Sequence, residues 1–304
     1  MERPTITNEV AAQPGLDHLH PKAQAIVHLP VEERIIARWQ SLWIGHRAAD
    51  NVFQTLDRYL VTPPSIRPRN LLIFGESGVG KSTILNRWES RVRAENAKRA
   101  ESEDDDGVGG WAVLPAIRFQ TPPAGDEAKL YNNILIEFGM RVSPSMALAQ
   151  RELMVRRLIA RCGVKVILMD EFHNALSGRF DKRLHFNVLI KNLTNETGVP
   201  IVAAGTESVD QVFAKEDQLN RRFNRIKLER MKMDGEWRKI LRAYGKIIPL
   251  RLPSDLTEAG LSERLYALSK GVIGELSNIL YDAALAAIDS GEERITEQLI
   301  RAIR

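Results

Sequence analysis

Cysteine is nearly absent from this sequence. Its 304 residues hold one, Cys162, so no disulfide framework can form within the chain. At the end of a helical stretch it reads as a small apolar residue. Long apolar runs are missing too. The longest, around Val164 to Met169, is far too short to span a bilayer. Residues 1–30 carry prolines, acids and histidines where a secretory signal would carry an apolar segment. The expectation is a soluble, cytoplasmic protein. No internal repeat is visible. Acids are scarce in one place: Arg221 to Arg251 holds eleven Lys or Arg against Glu229, Asp234 and Glu236. That stretch suits either a solvated basic face or a surface for a polyanion or a subunit.

The rest is ordinary globular composition. Hydrophobic residues at 44% and charged residues at 27% exclude disorder as the whole account. The length allows one large α/β domain and a smaller appended one. The pattern predicts an arm over 1–30, an α/β nucleotide-binding domain over 31–230 and a helical lid over 231–304. Within the middle part, two helices flank a break at Ile44-Gly45-His46. Strands are expected at 71–74, 111–119, 164–169, 200–204 and 224–228. Helices are expected at about 81–99, 126–139, 146–162, 183–197 and 208–214. Such alternation predicts a parallel five-stranded sheet flanked by helices. After about residue 233 only helical patterning remains. Glu101 to Gly110, acidic and glycine-rich, reads as a surface loop.

Gly75-Glu-Ser-Gly-Val-Gly80-Lys81-Ser82 fits the phosphate-loop pattern GxxxxGK[ST], and it lies between an apolar strand and a helix, as that pattern requires. Glycines let backbone N–H groups curl around an anion, and the helix N-terminus adds its positive end. Gly75, Glu76, Ser77, Gly78, Val79, Gly80, Lys81, Ser82 and Thr83 are the expected phosphate-binding residues. Lys81 would reach the β- and γ-phosphates, and Ser82 would ligate Mg²⁺. Val166-Ile-Leu-Met-Asp170-Glu171 supplies the second half. An apolar strand ends there in two carboxylates, at the sheet edge where ligands bind. Asp170 would hold Mg²⁺ through water. Glu171 would polarise the attacking water, which fits a hydrolase of ATP better than a passive holder. The long separation of the two motifs predicts another strand between theirs in the sheet. Thr206, after an apolar strand, is placed to orient water or the γ-phosphate. Arg221 and Arg222 suit an arginine finger given to a neighbouring subunit. His173 lacks a second ligand at helical spacing, which argues against a metal site there.

Several segments together resemble the TniB family. They are Asp170-Glu-Phe-His-Asn-Ala-Leu-Ser-Gly178, Gly205-Thr-Glu207, Asp217-Gln-Leu-Asn-Arg-Arg-Phe223, Ile248-Pro-Leu-Arg-Leu-Pro-Ser254 and Gly271-Val-Ile-Gly-Glu-Leu276. Trp43-Ile44-Gly45 and Arg67-Pro-Arg-Asn70 fit as well, and the likeness covers roughly residues 15 to 300. TniB proteins are AAA+ ATPases of bacterial DNA transposons, related to the TnsC regulators. The resemblance implies an AAA+ fold, ATP-dependent oligomers (rings or helical filaments) on double-stranded DNA, a DDE-type transposase as partner and a TniQ-like targeting protein. It places Arg222 on the finger arginine, and it puts Ile44 and His46 with Gly45 where relatives wrap adenine. One departure is expected to matter. Gly274 or Glu275 stands where many AAA+ lids carry a second sensor arginine, which predicts slow turnover without partners.

Relatives touch the DNA backbone from loops after the second strand and between the following helices. Here those loops hold Gln120, Thr121, Lys129, Arg141 and Ser143, and a third loop holds Arg179, Lys182 and Arg183. They offer cations and short polar donors without a set of stacking aromatics, so contact with phosphates is expected rather than base reading. Two other functions stay open on the sequence. One is a nucleotide-gated scaffold with little hydrolysis. The other is an IstB- or DnaC-like helicase loader, against which the segments after residue 170 argue.

Overall fold

Asn70–Phe74 is buried at every position and forms β1 in this computed structural model. The structure describes residues 15–39, 42–103, 112–178, 180–215 and 220–303. Four more strands follow: Ala116–Gln120 (β2), Val166–Asp170 (β3), Ile201–Gly205 (β4) and Phe223–Lys227 (β5). The sheet order is β2-β3-β4-β1-β5, and every neighbouring pair is parallel. β4 therefore separates the two motif strands, as their spacing predicted. β1, β3 and β4 are buried along their whole length. Parallel strands covered on both faces need such unbroken apolar runs.

The second strand is shorter than expected. It begins at Ala116 rather than at residue 111, and Trp111 lies outside the described residues. Pro115 has no N–H for a ladder, and its carbonyl instead accepts from Lys165 and Val166.

Contacts divide the chain into two compact units. Ala48–Glu229 forms one, and the chain before and after it forms the other. In the first, the helices Lys81–Glu103, Glu127–Glu137, Leu148–Arg161, Phe180–Thr197 and Glu207–Lys215 connect the strands. Leu72, Ile117, Ile134, Ile167, Phe172, Ile201 and Phe213 meet in its core. Each fully buried side chain of this kind contributes about 1.5–3 kcal/mol. Stability thus resides in the sheet, so exposed residues at its ends can be substituted without unfolding it.

The second unit joins the helices Gly235–Ile247, Ala259–Ser269, Ile273–Asp289 and Glu297–Ile303 around Trp237, Leu241, Leu265, Leu276 and Leu280. Residues 15–47 belong with these helices rather than with an arm or with the sheet domain. Ile35 joins their core. Buried Arg34 pairs with Glu293 and donates from Nε to the Pro249 carbonyl at 2.6 Å. The indole of Trp39 donates to Ser277 Oγ at 3.1 Å. These contacts have large sequence separations, which no local pattern announces. Among the described residues, no helix is long and apolar enough to cross a membrane.

Candidate nucleotide site

The sequence motifs converge because the strands are parallel. The loop Gly75–Gly80 follows β1, Asp170 ends β3 with Glu171 next, and Thr206 follows β4. All three strand ends lie on one edge of the sheet, with β4 central. Gly75 must be glycine for steric reasons: a Cβ there would stand 2.2 Å from the Leu228 carbonyl oxygen. Gly80 has φ 93°, a conformation that L-residues seldom adopt, just before the helix Lys81–Glu103. Ser82 and Thr83 stand exposed on the first helical turn.

Lys81 is half-buried, and its ammonium donates to the carbonyls of Gly75 at 2.9 Å and Glu76 at 2.6 Å. Burial lowers its pKa, while the nearby carboxylates of Glu171 and Asp170 oppose that shift. All three groups are thus near one another. Asp170 is 4% exposed, and its Oδ1 accepts the Glu171 N–H at 2.9 Å. Its carbonyl accepts from both Thr121 N (2.8 Å) and Thr121 Oγ1 (2.7 Å). Glu171 itself has φ 53° and ψ 41°. That left-handed conformation costs a non-glycine residue about 1–3 kcal/mol and persists where the surroundings enforce it. The enforcement is visible. Asn174 N donates to the Glu171 carbonyl at 2.9 Å, and Phe172, 1% exposed, is wedged against Phe186 and Phe213. Thr206 Oγ1 lies 2.8 Å from Ser208 Oγ.

Arg222 is elsewhere. It precedes β5, whose first residue Phe223 pairs with Asn70 at the start of β1. The phosphate loop follows the other end of that strand. Five residues of strand put Arg222 about 16 Å from its own loop, beyond the reach of its side chain. Its Nη1 donates to Asn195 Oδ1 at 3.0 Å, and Arg221 is exposed. Ile44 and His46 lie in the helical unit. Ile44 packs against that unit's core, and His46 is 6% exposed. Glu275 is exposed in the first turn of the helix Ile273–Asp289, which carries no cation there.

The residues assigned to DNA divide. Thr121 is corrected: at 2% exposure, with its hydroxyl spent on the Asp170 carbonyl, it braces the carboxylate strand and touches no external phosphate. The register could have warned of this, since Gln120 pairs with Asp170 and Thr121 is the next residue. Gln120, Lys129, Arg141, Ser143 and Lys182 are exposed. Gln120 and Lys129 line a cleft of 380 Å³, and Lys182 borders another of 530 Å³. Pro123 lines both. Ser143 Oγ pairs with Ser145 Oγ at 2.8 Å. Arg179 lies outside the described residues, as does the Arg183 side chain. Sequence reasoning missed His173, whose Nε2 lies 3.1 Å from Glu171 Oε2. Its place two residues after the glutamate was the available signal.

Comparison with known proteins settles the family. The family described as Bacterial TniB protein matches residues 34–233. The chain belongs to the TniB family. A search of the curated proteins finds no match. Among solved structures, the ORC2 protein of Aeropyrum pernix, in ADPNP and ADP complexes, is similar at 17% identity. That match has a TM-score of 0.60 and covers 87% of this chain and 70% of that one. The ORC1 protein of the same organism, in complex with DNA, matches at 18% identity and a TM-score of 0.59, over 87% and 68%. Drosophila ORC bound to DNA matches at 14% and 0.53, over 99% and 68%. At such identities the likeness concerns the fold. This TniB chain has the AAA+ ATPase fold.

Proposed function

We propose that this TniB protein binds ATP with Mg²⁺, hydrolyses it, and uses its nucleotide state to assemble on double-stranded DNA and recruit or activate a transposase. The observation that carries the reading is one sheet edge that gathers the site's candidate groups but not its candidate finger arginine. Phosphate loop, buried aspartate, glutamate and Thr206 share one sheet edge, while Arg222 stands at the opposite end. A second copy of the chain is the natural source of the missing charge.

In this reading the Gly75–Thr83 backbone and Lys81 hold the phosphates, and Ser82 with Asp170 hold Mg²⁺. A site of one hydroxyl and one carboxylate beside phosphates suits that ion. The ion held by Ser82 and Asp170 would supply charge neutralisation to the phosphates. Glu171 takes the proton of a water directed at the γ-phosphate, and Thr206 orients that water. Family membership supports a DDE-type transposase and a TniQ-like protein as partners, and a cytoplasmic setting. The exposed Glu275 favours slow turnover without those partners.

The subunit arrangement has a direct test. Arg222→Ala is expected to bind ATP normally and lose turnover by about 10³-fold, the usual worth of such a finger. Mixing it with Lys81→Ala protein should restore part of the activity, since each supplies what the other lacks. Asn195→Ala breaks the same intrachain bond and should stay active. Equal loss in Asn195→Ala, or no complementation at any ratio, would make Arg222 a structural residue.

DNA binding is the second arm. Lys182 shares its cleft with Asp126 and Glu127, and Lys129 shares its own with Glu137, so at this surface one copy presents little net positive charge. Binding is therefore expected only with ATP, through many copies, and nearly independent of sequence. It should fall steeply with salt as counterions are released. In a salt titration with ATP, the Lys129→Ala, Lys182→Ala double variant should bind more weakly with a shallower slope. An unchanged slope would move the surface to Arg225–Arg251, although Arg225 and Lys227 there already pair with Asp210 and Glu207.

A further inference from the structure

The structure assigns His173 as the residue that positions Glu171, an inference that rests on Glu171 acting as the base. Three observations meet here. The imidazole Nε2 lies 3.1 Å from Glu171 Oε2. The other ring nitrogen, Nδ1, is buried without a hydrogen-bond partner. Among the described residues, Glu171 is the ring's polar partner, and Nδ1 makes no hydrogen bond. Third, the Glu171 backbone is held in the left-handed region, a conformation that persists where the surroundings enforce it.

The ring is itself firmly presented. Phe172 before it is locked between Phe186 and Phe213. Asn174 after it donates to the Glu171 carbonyl. A Cβ on Gly205 would stand 3.5 Å from the His173 backbone nitrogen, so the turn packs against the end of β4, one residue before Thr206. An imidazole nitrogen 3.1 Å from one carboxylate oxygen holds that oxygen in place. The second oxygen is left to accept a proton from water. His173 touches neither nucleotide nor water in this scheme. It acts through Glu171, and it ties the base to the same turn that abuts the Thr206 strand.

The test uses full-length protein with duplex DNA, reading kcat, KM and the affinity for a fluorescent ATP analogue. His173→Ala is expected to lower kcat about tenfold, leaving ATP affinity within about twofold, the pattern of a group that matters only to the chemical step. His173→Gln places an amide N–H near the position of Nε2 and should keep about a third or more of the rate. His173→Asn reaches only as far as Nδ1 and should be as slow as alanine. In a Glu171→Gln background, His173→Ala should cause no further loss, since the residues act as one unit. Wild-type or raised kcat in His173→Ala, equal failure of all three variants, or an additive loss in the double variant would each overturn the assignment. If Glu171→Gln keeps full turnover, the base reading itself fails, and the inference with it. If Glu171→Gln is inactive while His173→Ala is not, only the inference falls.

Discussion

Lys81→Ala should bind ATP about 100-fold more weakly than the native chain, a loss of about 2.7 kcal/mol. Each hydrogen bond from an ammonium to a phosphate contributes about 1.5–3 kcal/mol. The amine must first release the carbonyls of Gly75 and Glu76, which reduces the net gain. Its desolvation acts the other way. Burial has already lowered the Lys81 pKa, so much of the cost of stripping water is borne by the folded loop rather than by binding. A thermal-shift titration reads the result. At ATP one hundred times the native Kd, the native protein should gain about 2.7 kcal/mol of stability, and the variant about 0.4. The two should unfold at similar temperatures without nucleotide, because the sheet core lies away from this side chain. A full ATP-induced shift in Lys81→Ala would show that the loop is not the phosphate site.

How far the sequence reaches depends on whether a feature is local. The phosphate loop was legible because glycine spacing, strand and helix are consecutive, and the Gly75 contact with Leu228 shows the steric demand behind the pattern. Asp170 and Glu171 were legible because an apolar run that ends in two acids, common by itself, gains meaning beside a phosphate-loop pattern. What escaped depends on distant partners. Thr121 looked like a polar loop residue, yet it lies against a strand fifty residues away and braces Asp170. Residues 31–47 read as the start of the sheet domain, while Arg34 reaches Pro249 and Glu293. His173 was weighed only as a metal ligand, although its place two residues after Glu171 hinted at the contact between them. Pro115 was another local signal passed over, for its missing N–H breaks a strand that would run through it.

Glu171→Gln should leave ATP affinity intact and lower turnover by about 10²–10⁴-fold, the range for losing a general base. The substitution is nearly isosteric. Glutamine meets the same left-handed backbone at similar cost, and its amide oxygen can still lie beside His173 Nε2. The Coulombic support that Glu171 gives to Lys81 is lost, but Asp170 still supplies its own. What disappears is an atom able to take a proton from water. The variant should therefore accumulate as an ATP-bound species. If nucleotide gates assembly, it should hold DNA through ATP additions that the native protein would turn over and release. Rapid-quench hydrolysis beside equilibrium ATP binding separates the two roles. Turnover above about a tenth of native would point to another base. A loss of ATP affinity equal to that of Lys81→Ala would place Glu171 among the binding groups and remove it from the chemical step.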